Sequence, residues 1–156
     1  MDKNTAMTPA EALPRIREAL EKLGVCRLTV TGNSMLPFLH GGRDAVYLVP
    51  APARIRRGDL IFYLRSADFP VLHRVVRVRR DGSFLCTGDI QKELETVRPS
   101  QLIAKADTAE INGKLRSLSS LPVRIFVRLW LLTRPVRPLM VRIYLFFRKR
   151  GMKNET

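Results

Sequence analysis

The sequence predicts a mainly β fold, a coiled antiparallel sheet or partial barrel with a helix before it and a basic amphipathic helical tail after it. Short β-branched and aromatic runs recur through the middle of the chain, and Gly, Asp and Pro turns separate them. No helical periodicity interrupts these runs, which is typical of antiparallel sheets and barrels. Helical patterns are confined to the two ends. The predicted strands cover residues 25–31, 45–49, 60–64, 71–78, 83–86 and 102–106.

This pattern divides the chain into an N-terminal helical segment at residues 1–24, a β domain at 25–110 and a helical tail at 111–156. The first helix is expected over residues 8–23, with Thr8 as its cap and Gly24 just past its end. We expect it to close the core, and positioning the loop after the first strand is the alternative. Its shared apolar face comprises Leu13, Ile16, Leu20 and Leu23.

Positive charge is concentrated in the tail. The chain has 28 Lys and Arg against 14 Asp and Glu, a net charge of +14, and residues 114–156 hold eleven of the basic residues with a single acidic one. Large apolar side chains lie between these charges, but no run approaches the ~20 apolar residues of a spanning helix. Two basic amphipathic helices are therefore predicted, at residues 121–133 and 138–150, with Pro135 between them.

A helix with Arg on one face and Trp, Phe and Leu on the other binds in the plane of an anionic membrane. We therefore expect residues 121–150 to hold the protein peripherally on a membrane surface. A helical hairpin packed on the sheet is the alternative. Nothing resembles a helix-turn-helix or zinc module, so a sequence-specific nucleic-acid partner is not expected. The first thirty residues lack the apolar core of an export signal, which favours the cytoplasmic side.

Only two cysteines occur, Cys26 and Cys86, and neither has a ligand-spaced neighbour. Both are expected to be small buried hydrophobes. No metal or organic cofactor is implied.

The residue most suggestive of chemistry is Ser34. It follows a short β-branched run, with Gly32 two residues before it and Pro37 three after it, so a strand should end in a bend that exposes the hydroxyl. A serine in such a turn is most often a solvated loop residue. Three downstream blocks change its interpretation: Arg57-Gly58-Asp59-Leu60-Ile61-Phe62, Val71-Leu72-His73-Arg74-Val75-Val76 and Thr87-Gly88-Asp89.

In this order and spacing, the four blocks resemble the catalytic domain of type I signal peptidases, which are related to the self-cleaving phage-type repressors. The resemblance covers about residues 29–106. It implies a serine endopeptidase with Ser34 as nucleophile and His73 as general base, similar to the Ser-His enzymes of eukaryotes and archaea rather than to Ser-Lys enzymes. An imidazole that titrates near neutrality can serve as the base. Its substrate would be a leader or signal-type peptide in a precursor protein.

The sequence leaves the identity of the third catalytic group open. The resemblance assigns it to Asp89, which would accept the second imidazole N–H and stabilise the imidazolium. The lysine that the family has before the Gly is absent, however, and Glu93 or Glu95 stands near the position of a second acid. His40 is a rival base because it lies close to Ser34 in sequence.

The loop around Ser34 is expected to bind substrate. The backbone N–H of Ser34 is the natural oxyanion donor, Gly32 would allow close approach of a peptide, and Met35 and Pro37 would set the loop. Two other hypotheses compete with the peptidase: an inactive peptide-binding or membrane-adaptor module of the same fold, and a self-cleaving regulator.

Overall fold

The structure is a computed structural model that describes residues 9–66, 69–133 and 142. The second predicted tail helix, residues 138–150, lies outside the described residues except for residue 142. The helices are α1 (Pro9–Leu23) and α2 (Leu121–Leu132). The strands are β1 (Cys26–Thr29), β2 (Ala45–Pro50), β3 (Leu60–Ser66), β4 (Phe69–Val78), β5 (Phe84–Thr87), β6 (Glu95–Val97), β7 (Leu102–Ile111) and β8 (Lys114–Ser117).

The eight strands form one antiparallel sheet in the order β1-β2-β7-β3-β4-β5-β6, with β8 paired to β7. In the described part of the chain this sheet is not closed. The mainly β class is thus confirmed, with one helix before the strands in the chain and one after them. The coiling of the sheet into a partial barrel stays a prediction.

All six predicted strands are present, but two further strands were missed. β6 has only three residues, and β8 is exposed along its whole length, so neither shows the alternation of a half-buried strand. β8 pairs with β7 through Asn112 and Gly113, both at positive φ (51° and 72°), as a tight hairpin turn requires. The sheet therefore continues to Ser117, beyond the boundary predicted at residue 110.

The apolar residues form two main clusters. The larger one packs α1 against the sheet through Leu13, Ile16 and Leu20, which confirms the prediction that α1 closes the core. Leu23, predicted to share this face, is instead 74% exposed at the end of the helix. The smaller cluster joins strands β3 to β6, and Cys86 is buried in it. Cys26 is only half-buried.

α2 packs on the body of the protein through one face only. Val123, Val127 and Leu131 are buried against Phe38, Val76 and Leu118. No helix within residues 9–66 and 69–133 is long and apolar enough to cross a membrane. The opposite side of α2 exposes four large apolar residues: Leu121, Ile125, Leu129 and Leu132.

Candidate active site

The loop after β1 holds Ser34 at a compact turn. The N–H of Leu36 donates to the carbonyl of Asn33 (3.2 Å), and the N–H of Leu39 donates to the carbonyl of Met35 (2.9 Å). Met35 and Leu39 are almost fully buried, at 1% and 0% exposure, so they anchor the loop in the core. Ser34 remains half-exposed between the core and solvent.

The Ser34 turn is in direct contact with the Thr87-Gly88-Asp89 block. The N–H of Ile90 donates to the Ser34 carbonyl at 3.0 Å. A Cβ atom on Gly88 would lie 2.6 Å from the Ser34 carbonyl oxygen and 2.9 Å from the Ser34 Cβ, closer than real Cβ contacts. Gly88 is therefore required for the close approach of these two blocks.

Two polar groups of Ser34 are available for chemistry. Within the described ranges, neither its hydroxyl nor its backbone N–H makes a hydrogen bond. A free hydroxyl can attack a carbonyl, and a free N–H can stabilise the oxyanion that results. Beside it, a Cβ on Gly32 would meet nothing within 4 Å, so this side of the loop is open. Pro37 is half-buried after a cis peptide bond.

His73 lies on β4 and is 3% exposed. Its Nδ1 is 2.7 Å from Oε1 of Glu95, the first residue of β6. Tyr63 of β3 donates its hydroxyl to the same carboxylate and lies 3.3 Å from the His73 Nδ1. Arg65 binds both oxygens of Glu95 at 2.8 Å. Three strands thus supply one connected polar cluster around the imidazole.

The pKa values of this cluster keep the carboxylate charged and the imidazole neutral. Burial opposes ionisation of Glu95, but hydrogen bonds from Arg65, Tyr63 and His73 outweigh it and lower the pKa to about 2. Burial lowers the pKa of His73 from 6.5, and the hydrogen bond with Glu95 partly offsets this effect. Burial and the Glu95 hydrogen bond raise the pKa of Tyr63.

These protonation states assign the tautomer of His73. An ionised carboxylate can only accept hydrogen bonds, so Nδ1 must carry the proton that points to Glu95. The neutral ring then has its lone pair on Nε2, the atom that a general base requires.

The structure gives Asp89 a partner other than the predicted one. Its two carboxylate oxygens accept from Nε and Nη2 of Arg74 at 2.7 and 2.6 Å, and both residues are buried. Arg74 also donates to the Gly58 carbonyl at 3.0 Å and lies 4.9 Å from the ring centroid of Phe38. Asp89 is therefore engaged by Arg74, and the carboxylate that contacts His73 is Glu95.

The other two candidates for acid and base lie in different surroundings. Glu93 is exposed and accepts from the backbone N–H of Lys92 at 3.2 Å. His40 belongs to a cluster with Arg43 and Asp44, in which its Nδ1 is 2.7 Å from the Arg43 Nη2. Of the two glutamates left open by the sequence, the one in contact with His73 is Glu95.

Sequence reasoning missed Tyr63 and Arg65. Tyr63 lies within the strand predicted at residues 60–64 and Arg65 just past its predicted end. The relation of both residues to His73 depends on strand register. Ile61 pairs with His73, and Tyr63 is two residues further along on the same face of β3. Knowledge of that register would have predicted that Tyr63 lies near His73, since alternate residues of neighbouring strands share a face of the sheet.

An aromatic stack connects the Ser34 loop to α2. The rings of Phe38 and Phe126 are stacked with centroids 5.8 Å apart, and Phe126 stacks on Trp130 at 6.3 Å. The loop that carries Ser34 is therefore packed against the face of α2 next to its exposed apolar residues.

No family model matches this chain, and no curated protein matches it.

Proposed function

We propose that this protein is a serine endopeptidase of the signal-peptidase type, which cleaves a leader or signal-type peptide at a membrane surface. The observation that carries the proposal is the buried His73, held through Nδ1 by the ionised Glu95. An anchored neutral imidazole of this kind is the arrangement of a catalytic base. A histidine with a purely structural role does not need a carboxylate that also accepts from a tyrosine and an arginine, as Glu95 does here.

In the proposed mechanism, the Ser34 hydroxyl attacks the scissile carbonyl while Nε2 of His73 takes its proton. Glu95 stabilises the imidazolium, and the backbone N–H of Ser34 donates to the oxyanion. The imidazolium then protonates the leaving amine, and a water molecule hydrolyses the acyl-enzyme with His73 again as base. Arg74 and Asp89 support this site by holding the Gly88 turn against Ser34.

The substrate proposed is an extended peptide with small residues before the cut, by analogy with the resembling family. Such a peptide can add to an end strand of the sheet, β1 or β6, through main-chain hydrogen bonds. The open space beside Gly32 leaves room for a backbone next to Ser34. The aromatic stack from Phe38 to α2 supports cleavage close to a membrane, because the exposed apolar residues of α2 adjoin the loop.

The experiment is to incubate the purified protein with anionic vesicles and a library of peptides that have small residues at varied positions, and to read cleavage by mass spectrometry. The test variant is Ser34→Ala. The matched control is Ser100→Ala, because Ser100 is an exposed serine in the turn before β7. We expect cleavage by the wild type and the control, and none by Ser34→Ala.

Identical cleavage by wild type and Ser34→Ala would contradict the serine mechanism. If none of the three proteins cleaves any peptide while all bind vesicles, the inactive adaptor module becomes the better hypothesis. Cleavage of the chain itself, seen as a loss of intact mass, would favour the self-cleaving regulator.

A further inference from the structure

A cleft of about 600 Å³ lies on the side of the sheet covered by α2, between that helix and the loop before β3. Gly58 is one of the lining residues and has φ +96°, and a Cβ at this position would lie 3.0 Å from Cγ1 of Val127. The loop therefore packs closely against α2, and these two elements together form the walls of the cleft. His73 and Glu95 are not among the residues that line it.

The cleft combines an apolar lining with a basic rim. Leu60, Val123, Val127 and Leu131 contribute buried apolar side chains to its wall. Five arginines surround these residues, three from the loop and two from α2. They are Arg54, Arg56, Arg57, Arg124 and Arg128.

The acidic residues that line the cleft, Asp59 and Asp107, form no ion pair with the five rim arginines. Asp59, one of two acidic residues in the lining, pairs with Lys105 at 3.2 Å and accepts the backbone N–H of Arg56 at 2.9 Å. Arg74, which also borders the cleft, is paired with Asp89. In residues 9–66 and 69–133, no carboxylate forms an ion pair with the five rim arginines.

The exposed apolar residues of α2 lie directly beside this rim. Leu121 and Leu132 are 70% and 67% exposed, and Leu129 is 58% exposed. At about 100° per residue, Arg124 and Arg128 fall on the helix surface between this exposed stripe and the buried face. A ligand in the cleft would thus meet cationic groups first and an apolar wall behind them, next to a surface suited to lipid.

We propose that this cleft binds one anionic phospholipid, with the headgroup phosphate at the rim arginines and the start of the acyl chains along the apolar wall. Arg binds phosphate through paired N–H donors, and five arginines that form no ion pair within residues 9–66 and 69–133 favour an anion. The apolar wall favours an amphiphile over a free phosphate, which gains nothing from it. This site goes beyond the peptidase activity and does not depend on it.

The first test measures binding to vesicles of phosphatidylcholine alone and of phosphatidylcholine with phosphatidylglycerol, by flotation. All proteins carry Ser34→Ala, so peptidase chemistry plays no part. The cleft variant replaces Arg54, Arg57 and Arg128 by Gln. The control replaces three exposed arginines outside the cleft, Arg15, Arg17 and Arg80, by Gln and has the same net charge.

We expect binding of the parent protein, which carries only Ser34→Ala, to require phosphatidylglycerol. Each arginine near an anionic surface contributes about fivefold in affinity, so the cleft variant should bind roughly a hundredfold more weakly. The control should lose much less. Equal losses in the two variants would overturn the proposal, because the attraction would then depend on total charge and not on the cleft. Circular dichroism of each variant establishes that the fold is intact.

The second test separates a lipid site from a phosphate site. Dihexanoyl phosphatidylglycerol, kept below its micelle concentration, and glycerol 1-phosphate are titrated by calorimetry. We expect saturation by the lipid at one site and at least tenfold weaker binding of glycerol phosphate. Ser119→Trp, at an exposed residue of the cleft wall, should block the lipid without a change of charge. Equal affinity for both ligands, or lipid binding unaffected by Ser119→Trp, would overturn the proposal.

Discussion

Two adjacent residues of β4, His73 and Arg74, point to opposite faces of the sheet, and each is buried against a carboxylate. His73 meets Glu95, which is partly exposed and also bound by Tyr63 and Arg65. Arg74 meets Asp89, and both side chains of that pair are at most 2% exposed. One face thus carries the pair of His73 with Glu95, which is partly open to solvent, and the other carries the pair of Arg74 with Asp89, which is sealed in the fold.

The difference between these two pairs shows that neighbouring ion pairs in one strand can have different roles. Arginine remains protonated at all working pH values, so the pair of Arg74 with Asp89 can hold turns together but cannot exchange protons. An imidazole gains and loses a proton near neutrality, so the pair of His73 with Glu95 can support proton transfer. The two pairs therefore differ both in burial and in whether their basic residue titrates near neutral pH.

The largest expected effect is on stability, at the Arg74 face. Arg74→Met leaves the Asp89 carboxylate buried without a partner, and such a loss costs about 3–5 kcal/mol in the free energy of unfolding. Urea denaturation measures it. The double variant Arg74→Met with Asp89→Leu should recover part of the loss, because no buried charge remains. A loss below 1 kcal/mol in the single variant would show that this pair does not hold the fold together.

The next effect is expected on activity, through the contact of Gly88 with Ser34, the proposed nucleophile. Gly88→Ala places a methyl group within 3 Å of the Ser34 main chain, so the serine must shift. A displacement of about 1 Å at a reacting group costs on the order of a hundredfold in rate. Peptide cleavage at saturating substrate measures it. Gly32→Ala, where the methyl meets open space, is the control for folding, and unchanged cleavage by Gly88→Ala would contradict the assigned position of Ser34.

The pH dependence should report the His73 face. The pKa of His73 is lowered from 6.5 by burial, so the neutral base persists at neutral pH and kcat should fall only below pH 6.5. Glu95 favours the imidazolium, so Glu95→Gln lowers the pKa of His73 further and moves the acidic limb of the profile to lower pH. A limb that moves to higher pH in Glu95→Gln would contradict the contact between these residues.

The smallest effect is expected at the rival histidine. His40 interacts with Arg43 and Asp44 in its own cluster, so His40→Gln should leave kcat within about twofold of wild type, whereas His73→Gln should abolish cleavage. The comparison uses the same peptide and pH for both variants. Loss of activity in His40→Gln with an unchanged melting temperature would transfer the role of base to His40.

Much of the fold could be predicted because its information is local. The β-branched runs of β2, β3 and β4 and the amphipathic pattern of α1 specify their own secondary structure. β6 was not predicted, because it has only three residues and begins with a glutamate. Such a segment is too short to show the alternation of apolar and polar residues that indicates a strand. That omission matters for the site, because β6 pairs with β5 and thereby places Glu95 beside β4.

Chain order alone allowed Ser34 and His73 to be proposed, from the blocks that contain them. The structure packs the Ser34 turn on Gly88, and the catalytic roles of Ser34 and His73 stay a prediction. The resemblance assigned the acid to Asp89 and left Glu93 and Glu95 as alternatives, whereas the structure has Glu95 in contact with His73 and Asp89 paired with Arg74. That outcome depends on register and on the competition of Arg74 for Asp89, which no local pattern reveals.

The most direct test of this account compares Glu95→Gln with Asp89→Asn, with Glu93→Gln as the matched control at an exposed carboxylate. Cleavage and melting temperature are measured for all three. We expect Glu95→Gln to lose on the order of 10² to 10⁴ in kcat with a smaller change in melting temperature than Asp89→Asn, since it removes the group that orients the base. Asp89→Asn should mainly lower the melting temperature, and Glu93→Gln should alter neither. The reverse pattern, with activity dependent on Asp89 at unchanged stability and indifferent to Glu95, would contradict the assignment of Glu95 to His73.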